Sequence, residues 1–293
     1  MSLPKVLVVL GPTASGKTEL ALKLAKKFNG ELLNADSRQI YRGLNIATAK
    51  VKTKAVKTHL LNLVKPNQNF SVVKYQLAAD KKIKQIIKRG KLPILVGGTG
   101  LYLAAVVDNW QIPKLKVDLN LRKKIAKLTA RQLYQKLKSL DPISAKNIGQ
   151  HNQRRLIRAV EVCLLSGRPF SQLQQKGQPK YQVLQLGLKI SRQELYRRIN
   201  ARVLRMFKQG LVAETKKLLK KYSAALPAMS SIGYREVVKF LQGEIKLVDC
   251  QELIKINTRH YAKRQITWFK RDQRIKWVKN FKAAQKLVKK FVE

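Results

Sequence analysis

Residues 11–18 read Gly11-Pro12-Thr13-Ala14-Ser15-Gly16-Lys17-Thr18 and fill every fixed position of G-x-x-x-x-G-K-[ST]. Such a loop folds backbone N–H groups around a diphosphate, adds the lysine charge and offers a hydroxyl to Mg²⁺. Its usual owners use ATP or GTP, but the pattern specifies a diphosphate and not the molecule that carries it. Asp36 follows an apolar stretch and opens "DSRQIYRG". An acid there can hold a cation through water, accept a proton, or cap a helix together with Ser37. Thr99 closes "PILVGGTG", whose glycines allow close backbone approach to a ligand. It can equally be a helix N-cap. Further on, "NTRHYAKRQITWFKR" mixes Arg259, Lys263, Arg264, Lys270 and Arg271 with Tyr261, Trp268 and Phe269. Positions 259, 263 and 270 share one helix face, which suits either solvent or the phosphates of an RNA.

The elements that must position these groups alternate in type. "KVLVVL" is a continuous apolar run, as expected of a parallel strand buried on both faces. Leu20, Leu22, Leu24, Ala25 and Phe28 follow it at near-helical spacing. "GELLNAD" reads as a second strand ending in Asp36, "SVVKYQLAADKKIKQIIKRGK" as an amphipathic helix closed by Gly90, and "LPILVGGTG" as a third buried strand. This alternation predicts a P-loop NTPase-like α/β fold with a doubly wound parallel sheet. It brings Gly11–Thr18, Asp36–Gln39 and Gly97–Thr99 together beyond the strand ends. "VDLNLRKKIAKL", "ARQLYQKLKSL" and "NQRRLIRAVEVCLLSG" then read as helices with no strand among them. Residues 113–176 are therefore expected to form an all-helical insertion in a core made of 1–112 and 177–293. "YQVLQLGLKI" returns to strand character, and helical stretches follow over 191–222, 233–242 and 249–271.

Lys and Arg number 62 against 16 Asp and Glu, a net charge of +46. Self-repulsion on that scale destabilises a compact state, and a polyanion relieves it. Nucleic acid is the expected partner, set against a lysine-rich composition with solvated basic faces. Cys163 and Cys250 form no C-x-x-C, and the three histidines are too scattered for a zinc site. Cys163 reads as a small core residue, and a reducing cytoplasm is expected. "MSLPKVLVVL" reads as a buried strand rather than a signal peptide. No apolar run approaches the ~20 residues of a membrane span.

In order along nearly the whole chain, "GPTASGKTELA", "NADSRQIYRGLNIATAK", "PILVGGTGLYL", "LDPISAKNI", "RRLIRAVEVCLLSGRP", "RINARVLRMFKQGLVAE", "SSIGYREVVKFLQGE" and "TRHYAKRQITWFKR" resemble the tRNA dimethylallyltransferases. These enzymes prenylate the adenosine immediately 3′ of the anticodon. "ADSRQIYRG" and "TRHYAKRQITWF" are the most specific segments, since the P-loop is shared with many families. The resemblance implies that residues Gly11 to Thr18 hold the diphosphate of dimethylallyl diphosphate rather than ATP, with Thr18 on Mg²⁺. It implies Asp36 as the general base on the exocyclic amine, Thr99 as a hydrogen-bond partner of that amine, and Arg235 as an arginine near the pyrophosphate. Contacts to tRNA are implied for Ser37, Arg38 and Gln39 beside a flipped target base. On the insertion they are implied for Arg122, Arg154, Arg155 and Arg158 against the anticodon stem-loop. On the last long helix they are implied for Arg259, Lys263, Arg264, Gln265 and Trp268. A cytoplasmic monomer is expected. The chain departs from the family's pattern at Asn62 and at Asn152 of "GQHN", where acids are usual. Two other readings stand beside this one. A kinase with an arginine-rich lid predicts ATP turnover. An RNA-binding protein with a relic P-loop is disfavoured by the joint presence of Lys17, Thr18, Asp36 and Thr99.

Overall fold

The computed structural model describes residues 2–50, 55–111, 115, 118–173 and 175–293. The chain divides into two compact units, Met1–Val107 with Pro179–Glu293, and Asp108–Gln178. The first unit begins with β1 (Lys5–Leu10), α1 (Lys17–Lys27), β2 (Gly30–Asn34), β3 (Thr58–His59), α2 (Val72–Ile87), β4 (Leu92–Gly97) and α3 (Gly100–Val107). The second unit contains β5 (Trp110–Gln111), α4 (Leu119–Ala126), α5 (Ala130–Leu140), α6 (Pro142–Ile148), α7 (Gln153–Ser166), α8 (Phe170–Leu173) and β6 (Gln175–Lys176). The first unit resumes with β7 (Gln182–Leu188), α9 (Arg192–Lys208), α10 (Leu211–Leu219), α11 (Tyr234–Leu241), α12 (Leu247–Phe269), β8 (Lys276–Val278) and α13 (Phe281–Val292).

Six strands form one parallel sheet in the order β3-β2-β4-β1-β7-β8. The α/β class expected from the strand–helix alternation is the one observed. Successive residues of central β1 enter opposite layers. Val6, Val8 and Leu10 pack with Tyr75 and Ile83 of α2 and Leu103 of α3. Leu7 and Val9 pack with Leu20 and Leu24 of α1 and Val288 of α13. Helices on both faces remove any need for polar alternation along the strand, which is why β1 reads as an unbroken apolar run.

The stretch read as one helix over 191–222 is two helices. Gly210 lies between them at φ 88, a left-handed conformation that a glycine adopts without a Cβ penalty. β8 and α13 are among the elements that the sequence pattern does not predict. β8 completes one edge of the sheet beside β7, and α13 packs Ala284 and Val288 into the cluster of Leu7 and Val9.

In the second unit, Leu133, Leu137, Leu156, Ala159, Val160 and Cys163 form a helical core, with Cys163 the small core residue its context suggested. The helices expected over residues 113–176 are present, and a two-residue strand at each end of the unit, one of them outside those bounds, adds to them. β5 and β6 pair antiparallel, Trp110 opposite Lys176 and Gln111 opposite Gln175. Two-residue strands are too short to show a period of two. Asp141 caps α6 by accepting from Ser144 N at 3.0 Å, with Pro142 in the first turn. Asn152 caps α7 by accepting from Arg155 N at 3.2 Å. Asn and Asp are about equally good N-caps, so an amide at position 152 keeps that local role without the acid.

Candidate active site

β1 ends at Leu10, and the loop 11–16 turns directly into α1 through Gly16 at φ 92. The aligned N–H groups at the helix start make a ready site for an anion. Lys17 Nζ donates to Pro12 O at 3.1 Å, so the ammonium folds back over the loop. Burial pushes its pKa down to about 8; Asp36 opposes the shift and Arg202 adds to it. An incoming diphosphate would raise that pKa again, because an anion favours the charged ammonium. Ser15 Oγ is buried without a hydrogen-bond partner.

α9 delivers four arginines that the sequence reading left unassigned. Arg197, Arg198, Arg202 and Arg205 line a cavity of about 620 Å³ with Lys17, Thr18 and Asp36. Arg198 Nη1 donates to Ser15 O at 3.2 Å, and Arg202 Nη1 donates to Thr13 Oγ1 at 2.9 Å. Arg202 Nε is buried with no partner, an unmet donor beside the cradle. Positions 198, 202 and 205 have i, i+4, i+7 spacing, one face of a helix. That signal was readable, but what the face looks upon was not.

Asp36 sits just past β2 in a turn fixed by Asn34. Asn34 Oδ1 accepts from Asp36 N at 3.1 Å, and Asn34 Nδ2 donates to Leu60 O at 3.1 Å. One Asp36 oxygen, Oδ1, accepts from Arg38 N at 2.8 Å. No helix follows, since residues 37–40 form a turn, so the bond to Arg38 N closes an Asx-type turn in place of the expected helix cap and occupies one oxygen of the carboxylate. Asp36 borders the cradle cavity and also a second hollow of about 330 Å³ with Ser37, Arg38, Arg235, Tyr261 and Arg264. Thr13, Thr48 and Arg202 border both as well. The Thr99 hydroxyl accepts from Ser37 N at 3.0 Å, which ties the end of β4 to the segment after Asp36. Burial, with Asp36 adding, pushes the Tyr261 phenol well above its usual pKa, so it stays a neutral donor. Tyr261 was not among the predicted site residues. Arg235 falls in the second hollow, with its Nε held by Glu236 Oε1 at 2.6 Å. Gln39 borders the cradle cavity and donates to Thr48 O at 2.9 Å.

The groups expected on a tRNA-facing side are found in different environments. Gln265 is 5% exposed. Its Oε1 accepts from Thr13 N at 2.8 Å, and its Nε2 donates to Gly98 O at 2.8 Å. It is an internal strut between the P-loop and the end of β4, a correction to its expected surface role. The strut explains Gly98, where a Cβ would lie 2.2 Å from Gln265 Nε2. Trp268 is 41% exposed and lies over Gly100, where a Cβ would meet it at 2.2 Å. Arg264 is exposed beside the second hollow. Arg259 is held by Asn200 at 2.8 Å and, with Lys263, borders another cavity. In the second unit Arg154 and Arg155 are exposed. Arg122 and Arg158 both bind the fully buried Glu161, Arg122 through two 2.9 Å bonds and Arg158 through one of 2.8 Å. Burial raises the Glu161 pKa, but the two arginines outweigh it and hold it below the usual glutamate range. These two arginines therefore have a structural duty. Asn62 accepts from Lys50 Nζ at 2.7 Å at φ 54, an αL position that Asn tolerates well.

A family model described as IPP transferase matches residues 39–272. The tRNA dimethylallyltransferase of Carboxydothermus hydrogenoformans is 41% identical over 98% of this chain and 96% of its own length. That of Thermoanaerobacter pseudethanolicus is 43% identical over 99% of this chain and 96% of its own. Among solved structures, the full-length tRNA isopentenylpyrophosphate transferase of Bacillus halodurans superposes with a TM-score of 0.73 at 35% identity, covering 99% of this chain and 96% of that one. A eukaryotic dimethylallyltransferase described as acting on tRNA superposes with a TM-score of 0.79 at 30% identity, over 90% of this chain and 69% of its own.

Proposed function

The chain belongs to the IPP transferase family, and from that premise we propose that it transfers a dimethylallyl group from dimethylallyl diphosphate to the exocyclic amine of the adenosine 3′ of the anticodon in tRNA. The observation that carries the reading is the position of Asp36, on the border of both a cationic diphosphate cavity and a second hollow. The nitrogen lone pair forms the new bond to the allylic carbon. The C–O bond to the diphosphate breaks, its electron pair leaves with pyrophosphate, and the amine proton passes to Asp36. An aromatic amine is a poor nucleophile, so removing its proton as the C–N bond forms is the useful contribution of a carboxylate. Thr99 and the neutral Tyr261 phenol supply hydrogen bonds near the amine. The charge growing on the leaving group meets Lys17, the loop amides and Arg202. Arg235 lines the second hollow and not the cradle cavity, so in place of the pyrophosphate role expected for it we assign it to the flipped nucleotide together with Ser37 and Arg38, while Gln39 borders the diphosphate side. Extrusion of the base from its stack is required for it to reach Asp36.

Mg²⁺ fits the cradle. Among the described residues no cluster of three or more acids, histidines or cysteines could hold a metal alone. Mg²⁺ keeps several waters and takes few protein ligands when phosphate oxygens supply the rest. Thr18 would hold it, with Asp36 reached through water, and the ion would neutralise diphosphate charge. No helix among the described residues is long and apolar enough to cross a membrane.

Incubating the protein with tRNA and labelled dimethylallyl diphosphate or labelled ATP tests the reaction. Label retained on tRNA only from the prenyl donor is expected; phosphate release from ATP driven by a small acceptor would instead establish the kinase reading.

The tRNA-facing residues on the second unit are Arg154 and Arg155. Phosphate contacts release counterions, so log K against log salt should slope by about −0.7 to −0.9 per contact. Arg155→Ala is expected to reduce that slope by nearly one contact and to weaken all tRNAs alike. Lys289→Ala, on α13, should leave it unchanged. Identical slopes for the parent and both variants would show a diffuse charge bias in place of a docking face.

A further inference from the structure

A third hollow, of about 710 Å³, touches the P-loop only at Pro12 and shares no lining residue with the two cavities that meet at Asp36. Its wall is aliphatic, formed by Leu188, Ile190, Leu195, Ala262 and Ile266. Its rim is cationic, formed by Lys189, Arg192, Arg259, Lys263 and Lys270, and no acid lines it. The guanidiniums of Arg192 and Arg259 each stand 5.2 Å from the Tyr196 ring. Arg259 Nη2 is held by Asn200, but its Nε–H is buried with no acceptor. A buried donor of that kind leaves room for an acceptor from a water or a ligand.

Rim and wall together select the class of ligand. Small-ligand sites occupy roughly 300–1,000 Å³, mostly apolar with a few convergent polar groups, and this hollow has that make-up. Single-stranded RNA is held by stacking on free aromatic faces. Here Tyr196 already carries two guanidiniums, and Trp277 lies against Gly187, where a Cβ would meet its ring at 2.7 Å. The rest of the wall is aliphatic. We infer that this hollow binds a free amphiphilic anion, an aliphatic chain with a phosphate or diphosphate head, at a site separate from the P-loop. The chain lies on Leu188, Leu195 and Ile266, and the head is met by Arg259 and Arg192. Because the cradle already takes a five-carbon diphosphate, a longer isoprenoid diphosphate is the fitting probe. That choice rests on the transferase reading, whereas the site rests on its lining.

Farnesyl diphosphate, kept below its micelle concentration, is titrated calorimetrically into the full chain and into Lys17→Ala, which disables the cradle. Dimethylallyl diphosphate is titrated in parallel. One equivalent of farnesyl diphosphate should bind the Lys17→Ala chain, and saturating dimethylallyl diphosphate should not displace that equivalent from the parent. Inorganic diphosphate should bind the Lys17→Ala chain at least tenfold more weakly. Arg192→Glu, which reverses a rim charge, and Thr267→Trp, which fills the hollow from its exposed edge, should each weaken the farnesyl ligand at least tenfold in the Lys17→Ala background. Loss of all farnesyl binding with Lys17→Ala, or indifference to both hollow variants, overturns the inference. So does binding of phosphatidylglycerol vesicles, in place of free farnesyl diphosphate, with the same variant dependence. Failure of dimethylallyl diphosphate to bind the parent would instead count against the transferase reading and leave the farnesyl result standing by itself.

Discussion

Asp36→Asn is expected to bind tRNA and dimethylallyl diphosphate nearly as the parent does and to turn over about 10²- to 10⁴-fold more slowly, the range for a lost general base. The amide is close in size and keeps an oxygen for Arg38 N, so the turn after β2 should persist. What it loses is the capacity to take a proton. The comparison with Asp36→Ala separates the two duties of the side chain. If Ala and Asn are equally slow and equally stable, catalysis dominates and the turn bond is minor. If Ala is also less stable, the turn bond to Arg38 N contributes, by about 1 kcal/mol for a lost hydrogen bond. Near-parent turnover in Asp36→Asn would remove Asp36 from the chemistry altogether.

The second large effect belongs to Lys17. Lys17→Ala is expected to weaken dimethylallyl diphosphate binding and to lower turnover further still, because charge on the leaving oxygen grows between ground and transition state. Its pKa of about 8 in the free protein gives this a pH signature. The cation is present below about pH 8, and a bound diphosphate favours that cation, so the pKa in the complex must be higher. Binding above pH 8 therefore takes up a proton, and affinity falls as pH rises between the free and bound values. Below the free value this group contributes no pH dependence. Lys17→Arg keeps the charge at all these pH values and should flatten the profile. Calorimetry in two buffers of different ionisation enthalpy at pH 8.5 measures the uptake. Equal profiles for the parent and the Lys17→Arg variant would mean that another group titrates.

Much of the cradle could be read from the order of residues, because a glycine loop between an apolar strand and a helix is local information. Asp36 and Thr99 were legible for the same reason, as polar residues at the ends of apolar runs. What a polar residue faces was not legible. Gln265 sits in a helix full of basic residues, and nothing local says that its amide is enclosed between Thr13 and Gly98. The arginines of α9 have a visible spacing, but the surface opposite them is formed by a loop almost two hundred residues earlier. Arg122 and Arg158 read as free cations because Glu161 is one acid among many bases. β8 failed for a different reason, since three residues at a sheet edge carry too little pattern to separate strand from loop.

The ribbon of β5 and β6 has a consequence for how the chain was assembled and could be redesigned. Gly177 N donates to Asn109 O at 3.0 Å and Asn109 Nδ2 to Gln178 O at 2.9 Å, so entry and exit of the 108–178 unit are clasped side by side. A segment whose ends already meet adds little closure entropy to its host, since that cost grows only as about (3/2)RT ln n with the length of an unclasped loop. The unit is thus a cassette, with its own core around Leu133 and Leu156. Excising it at the clasp and joining Val107 to Pro179 through a short turn would leave every strand of the six-stranded sheet and every P-loop residue in place.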